Sequence, residues 1–169
     1  MTGADRIGLV DEITELLLQY QANVEASKMA HLGGEFAAIL LLSLPQEKSS
    51  SLSQALNGLD KQGLSVVIKE TTSGTKDSYA GWLPYQLKVY GADHEGIIHH
   101  ITHYLAQQGI NIESMDTFMA PAPMSGTPLF TMSAIVIIPP KLDRKGWKQA
   151  LQQTGDDVNV NCEIHPYTG

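Results

Sequence analysis

The sequence predicts an α+β protein made of two tandem copies of one β-α-β-β-α-β unit. Three observations carry this. The chain repeats itself at a nearly constant spacing, each copy alternates strand-type with helix-type hydrophobic patterns, and the composition supports real cores. The 169 residues are 43% hydrophobic and 17% charged, which lies outside the disordered range.

The repeat is direct. With Gly3 placed on Gly91 (91 − 3 = 88), ten of the 26 positions from residue 3 to residue 28 are identical, where chance would give about one or two. They include Gly3/Gly91, Asp5/Asp93, Gly8/Gly96, Ile13/Ile101, Leu17/Leu105, Asn23/Asn111 and Glu25/Glu113. Further on, Phe36 meets Phe130 and Pro45 meets Pro139, so the offset has grown from 88 to 94. The six extra residues fall in the second copy's stretch 120–127, which carries Pro121, Pro123 and Gly126. Such loops tolerate insertion. Two copies are too few for a solenoid, so the pattern reads as a duplicated domain.

The second copy shows every element. Residues 84–90 alternate, with Tyr85, Leu87 and Val89 on one face of a strand. A turn at 91–96 precedes Ile97, Ile101 and Leu105 at helical spacing, and Gly109 is a stop signal. Residues 110–120 and 129–138 read as strands. A second helix is expected from a cap at Asp143 to about residue 153, closed by Gly155, with a last strand over 158–164. The first copy follows the same order. A helix is expected over 9–20, strands over 24–30, 35–44 and 64–71, and a helix over 52–62 with Ser49, Ser50 and Ser51 as cap candidates. Gly33-Gly34 marks a tight hairpin.

Right-handed crossovers turn this order into the ferredoxin-like arrangement, a four-stranded antiparallel sheet with both helices on one face. The first copy begins at its turn, so it is expected to lack its opening strand, which is interior in that topology. Two expectations follow: Met1 is a displaced start, or another strand fills the gap. The domains are expected at 1–71 and 84–169, joined by a linker at 72–83 rich in Ser, Gly and Lys.

Charge and cysteine usage narrow the function. The net charge of −7 disfavours direct contact with nucleic acid. Cys162 stands alone, so no disulfide can form within the chain, and a reducing, cytoplasmic setting is expected. Cys162 itself reads as a small core residue, and Trp82 and Trp147 as packing residues. No apolar run reaches the roughly 18 residues of a membrane span. No arrangement for nucleophilic catalysis or phosphate cradling is present, so no enzyme activity and no cofactor are expected.

The motif Gly-Ala-Asp-x-x-Gly, then an amphipathic helix, then Asn-Val/Ile-Glu, occurs in both copies, at residues 3–8 with 23–25 and at 91–96 with 111–113. On these residues each copy resembles an ACT domain, a regulatory amino-acid-binding module. The pair, with little else in the chain, resembles the glycine cleavage system transcriptional repressor family. The family pattern favours Arg-Pro before the last glycine, where this chain has Arg6-Ile7 and His94-Glu95. The resemblance implies a ligand bound at domain–domain interfaces by the turn and the start of the second strand. Those positions are Asp5, Gly8 and Asn23 in the first copy and Asp93, Gly96 and Asn111 in the second. It also implies a glycine-like ligand, and repression of glycine and one-carbon genes through a partner transcription factor rather than through DNA. The alternative is a regulatory subunit of an amino-acid metabolic enzyme. A homodimer is among the expected assemblies.

Each site residue has a plainer reading. Gly8 and Gly96 precede a helix, where free N–H groups suit a carboxylate, yet they could simply permit a turn. Asp5 and Asp93 could cap the helix. Asn23 and Asn111 could be turn residues. His99 and His103 stand at i, i+4, a spacing that can chelate a metal. The first copy has Asp11 and Glu15 there, which reads as a solvated face, and no metal site is expected.

Overall fold

The protein, described as a computed structural model, is followed over residues 1–71, 79–142 and 144–168. It divides into two compact units, Met1–Thr71 and Thr72–Gly169. The first contains β1 (Thr2–Ala4), α1 (Leu9–Gln19), β2 (Asn23–Leu32), β3 (Glu35–Ser43) and α2 (Ser49–Asn57), which continues as a 3-10 segment, Gly58–Gln62. The second contains β4 (Leu83–Ala92), α3 (Ile97–Gln107), β5 (Asn111–Pro121), β6 (Pro128–Ile138), α4 (Arg144–Asp157) and β7 (Val160–Pro166). This is the expected α+β class, two ferredoxin-like modules in tandem. The linker expected at 72–83 falls mostly on residues outside the described set, and Leu83 already belongs to β4.

In the second module the strand order is β5-β6-β4-β7, antiparallel throughout. The alternation read from sequence decides which face is buried. Tyr85, Leu87 and Val89 of β4, and Phe130, Met132, Ala134, Val136 and Ile138 of β6, point to the helices. They meet Ile97, Ile101 and Leu105 of α3 and Trp147 and Leu151 of α4. The Tyr104 hydroxyl donates to the Trp147 carbonyl at 2.6 Å, tying α3 to α4. Cys162 is buried in β7, and burial pushes its thiol up to about 11, which suits a core residue rather than a nucleophile.

The first module builds a smaller core of the same kind, from Leu9, Ile13 and Leu17 of α1, Phe36 and Ala38 of β3, Leu52 and Leu56 of α2, and Leu59 and Leu64. The order is β1-β3-β2. The opening strand, absent on the sequence reading, survives as the three-residue stub β1. It pairs with β3 through Thr2↔Ala37, Gly3↔Phe36 and Ala4↔Glu35. The strand expected over 64–71 does not form beyond an isolated bridge between Ser65 and Thr2. The second departure follows from the first. A strand exists through its neighbour's backbone, and β1 offers that last segment only one residue to pair with. Gly33 and Gly34 both take positive φ, +62° and +86°, as a two-residue turn of the type that matches strand twist requires.

Two helix ends also differ from expectation. Neither α1, α2 nor α3 has a side-chain cap, so Ser49–Ser51 and the two turn aspartates do not cap them; the cap expected from Asp143 lies outside the described residues. The helix expected to stop at Gly155 runs on to Asp157. Gly155 is there because α4 touches β7: a Cβ would lie 2.6 Å from Cys162 Sγ and 2.8 Å from the Val160 carbonyl oxygen. Glycine to alanine inside a helix ordinarily stabilises. Here Gly155→Ala should destabilise the second module by about 1–3 kcal/mol, read as a lower denaturation midpoint with an unchanged slope.

Candidate functional site

The two modules build their opening turn with the same backbone devices. Gly3 and Gly91 allow a close approach to the last segment of the module. A Cβ on Gly3 would lie 2.5 Å from the Gly63 carbonyl oxygen, and one on Gly91 2.9 Å from that of Asn159. The following aspartate ends the strand through its own amide: Asp5 N–H donates to Gly34 at 3.0 Å, Asp93 N–H to Pro128 at 2.9 Å. Gly8 and Gly96 stand at the helix N-termini with φ of +86° and +94°, a left-handed geometry costly for any other residue. The first N–H groups of each helix have no carbonyl partner within the helix, and in α1 that of Leu9 donates instead to the Arg6 carbonyl at 3.3 Å. In the second module Asp93, His94, Gly96, Ile97, Ile98 and Phe130 line an open recess of about 540 Å³ there.

The asparagines stand elsewhere. Asn23 pairs with Ser43 across β2 and β3, whereas Ala4 pairs with Glu35. Asn111 pairs with Ile137, whereas Ala92 pairs with Leu129. In both modules the turn and the asparagine are eight strand residues apart, about 26 Å at roughly 3.3 Å per residue. The structure therefore brings Asp5 together with Gly8, and Asp93 with Gly96, but places Asn23 and Asn111 at the opposite end of their own sheets.

The asparagine end has a feature that sequence reasoning overlooked. Both strands carry a register shift at matched places, between Val24 and Ala26 and between Ile112 and Ser114. The bulged residues are Glu25 and Glu113, the last members of the Asn-Val/Ile-Glu motif. A bulge re-aims a side chain and commonly sits beside a functional site. In the first module the Glu25 carboxylate accepts from Asn23 Nδ2 at 2.9 Å and from Ser43 Oγ at 2.5 Å. In the second, Asn111 and Glu113 lie in a recess of about 730 Å³ walled by Tyr79, Trp82, Ile137 and Tyr167. The repeat could have revealed these glutamates, since they are identical in both copies.

The turns differ in their side chains. Asp5 lies 3.7 Å from His31 of β2. Arg6 pairs with Glu12 of α1 and donates to Gln62 Oε1 at 3.3 Å. At the matching place His94 has Nε2 2.6 Å from the Val158 carbonyl oxygen and Nδ1 2.9 Å from that of Glu95. Those two carbonyls, the Val158 oxygen first, raise the proton affinity of the ring above the ordinary histidine value, the Asp93 charge adds to the effect, and partial burial opposes it. The rings of His99 and His103 stack at 5.6 Å on the exposed face of α3. Among the described residues no group of three or more His, Cys, Asp or Glu side chains is placed to hold a metal ion.

These features define two tandem copies of one module built with the same backbone devices. Residues 1–69 match the ACT domain family, and the second module repeats the motif of that segment on the same kind of fold. It resembles the glycine cleavage system transcriptional repressors of Escherichia coli K12 and Shigella flexneri, each 26% identical over 165 residues, covering 96% of this chain and 85% of the relative. A crystal structure of an unknown protein from Galdieria sulphuraria is 31% identical, with a TM-score of 0.82 over 99% of this chain and 95% of that one. A further solved structure, 19% identical, shares the fold with a TM-score of 0.73 over 99% of this chain.

The left-handed glycines can be checked without any ligand. Gly8→Ala and Gly96→Ala should each lower stability by about 1–2 kcal/mol, because open space beside Gly8 and an ordinary contact beside Gly96 leave backbone geometry as the cost. Thermal unfolding of each variant reads this directly.

Proposed function

We propose that the chain is an amino-acid-sensing regulator, not an enzyme, that acts through a partner protein to control transcription of glycine and one-carbon genes. The observation that supports this is the separation of the turn from the asparagine and glutamate within each sheet, in a chain that resembles two named repressors along nearly its whole length. A helix N-terminus, with its dipole and N–H groups that lack intrahelical partners, favours a carboxylate. An asparagine beside a bulged glutamate favours an ammonium. An α-amino acid carries both groups a few ångströms apart, far less than the length of a sheet. One module therefore offers half a site, and a second module must supply the other half. On this reading Asp5, Gly8 and Asn23, and Asp93, Gly96 and Asn111, are ligand-binding residues, joined by Glu25 and Glu113. Binding then favours association, and a homodimer is the simplest form.

Several observations support a regulator that leaves DNA to its partner. The charge is −7, and among the described residues no helix is long and apolar enough to cross a membrane. A single cysteine suits the cytoplasm.

The test is thermal-shift screening of the full chain against the twenty amino acids. A true ligand should stabilise by about 2.7 kcal/mol at a hundred times its dissociation constant, with glycine or a similarly small amino acid the strongest. Asn111→Ala and Asn23→Ala should weaken binding at least tenfold while leaving the unliganded melting temperature within about 1–2 °C, since Asn23 is exposed and Asn111 only partly buried. If no amino acid shifts the melting temperature, the sensing reading fails. Co-purified partners then decide the mode of action: a DNA-binding protein fits the proposal, and a metabolic enzyme alone replaces it with a regulatory subunit.

A further inference from the structure

The fourth residue of the turn does the same mechanical job in both modules with different chemistry. Arg6 reaches Gln62, just before the last segment of the first module. His94 reaches Val158, just before β7. Each ties the loop in front of the helix to the chain that enters the last strand position, 56 and 64 residues away respectively.

The histidine version carries a constraint that the arginine version lacks. Both ring nitrogens of His94 face carbonyl oxygens within hydrogen-bond distance. A carbonyl only accepts. A neutral imidazole has one N–H, so its other nitrogen would set a lone pair against an oxygen. Only the imidazolium, with two N–H groups, satisfies both contacts. A guanidinium is charged at every accessible pH.

We propose that His94 is a proton-gated positioning residue: charged, it clamps turn 93–96 to the start of β7, and on losing its proton it releases the turn, so the second module's half-site responds to pH and the first module's does not. The clamp stands on these contacts alone; only its consequence for ligand affinity rests on the sensing role.

The surroundings agree in sign. The other charged or titratable groups on the elements around the ring are Asp93 and Glu95 in the turn, His99 and His100 at the start of α3, and Asp156 and Asp157 at the end of α4. Of these charges it is Asp93 that acts on the ring, and it favours the imidazolium. From β6 only the apolar Phe130 enters the recess, and Cys162 of β7 faces Gly155 instead. With the proton affinity raised in the folded state, the stabilisation is complete below the ordinary value of 6.5 and is lost as pH rises through the higher folded value.

The experiment uses the full unliganded chain and its His94→Arg and His94→Ala variants. Ring-nitrogen and ring-carbon NMR shifts follow His94, and hydrogen exchange, corrected for base catalysis, follows the amides of residues 93–99. The wild type should titrate above 6.5, show both ring nitrogens protonated at the acid end, and lose turn protection severalfold through that titration. Arginine should hold protection high and flat, as at residue 6, and alanine should leave it low and flat. A His94 that titrates at or below 6.5, turn protection that ignores its titration, or an arginine variant with the wild-type pH response would each overturn the proposal. Because no ligand is present, a chain that binds no amino acid leaves this result intact.

Discussion

Everything in each module hangs on the pairing of its opening strand. That strand is interior, so its backbone serves two neighbours at once. In the second module β4 pairs over ten residues with β6 and over seven with β7. Its inward side chains Leu87 and Val89 are fully buried as a result. In the first module the same position holds three residues, and the last segment collapses to one bridge at Ser65. The Met1 amine donates to the Ala38 carbonyl at 2.8 Å, adding one more contact to the β1–β3 pairing. Beyond it, among the described residues, no strand pairs with that edge of β3, and Ile39 is 78% exposed while Ser133 and Ile135, in the matching part of β6, are partly covered.

The helix that follows the opening strand sets the geometry of the proposed site. It runs back along the sheet, so a turn at its N-terminus and a strand start after its C-terminus must lie at opposite ends. α1 and α3 are each eleven residues long, about 16 Å at 1.5 Å per residue, and the connecting loops add the rest. A ligand that needs both ends therefore needs two modules. The dependence of the proposed function on association follows from the length of a helix, before any side chain is considered.

Much of this was legible in the sequence because the two copies retain identity where the backbone is most constrained. Gly8 and Gly96 are matched since both take positive φ; Gly3 and Gly91 are matched since neither position has room for a Cβ. The apolar positions of α1 and α3 agree because both pack on the same sheet face. What stayed hidden depends on contacts distant in sequence. Gly155 carries the same local signal as a helix stop, and only the approach of β7 explains it as a close-contact glycine. Residues 64–71 have a strand composition, but strand formation belongs to the pair, and the partner is a stub. The glutamate bulges are invisible to a period-two reading, since a bulge is the place where that period slips. The braces from Arg6 and His94 join residues too far apart for any spacing rule.

The asymmetry between the copies follows the same division. The backbone devices are shared: close-approach glycine, left-handed glycine, amide of the aspartate on the hairpin, bulged glutamate. The side chains that dress them have diverged. Asp5 leans on His31, whereas Met119 stands at the matching place beyond Asp93. Asn23 and Ser43 already satisfy Glu25 in the first module, while the asparagine end of the second is walled by aromatic rings. A duplicated fold can keep its turn and bulge geometry in the main chain and vary the few side chains around it. The two modules are therefore one backbone scaffold carrying two different sets of side chains.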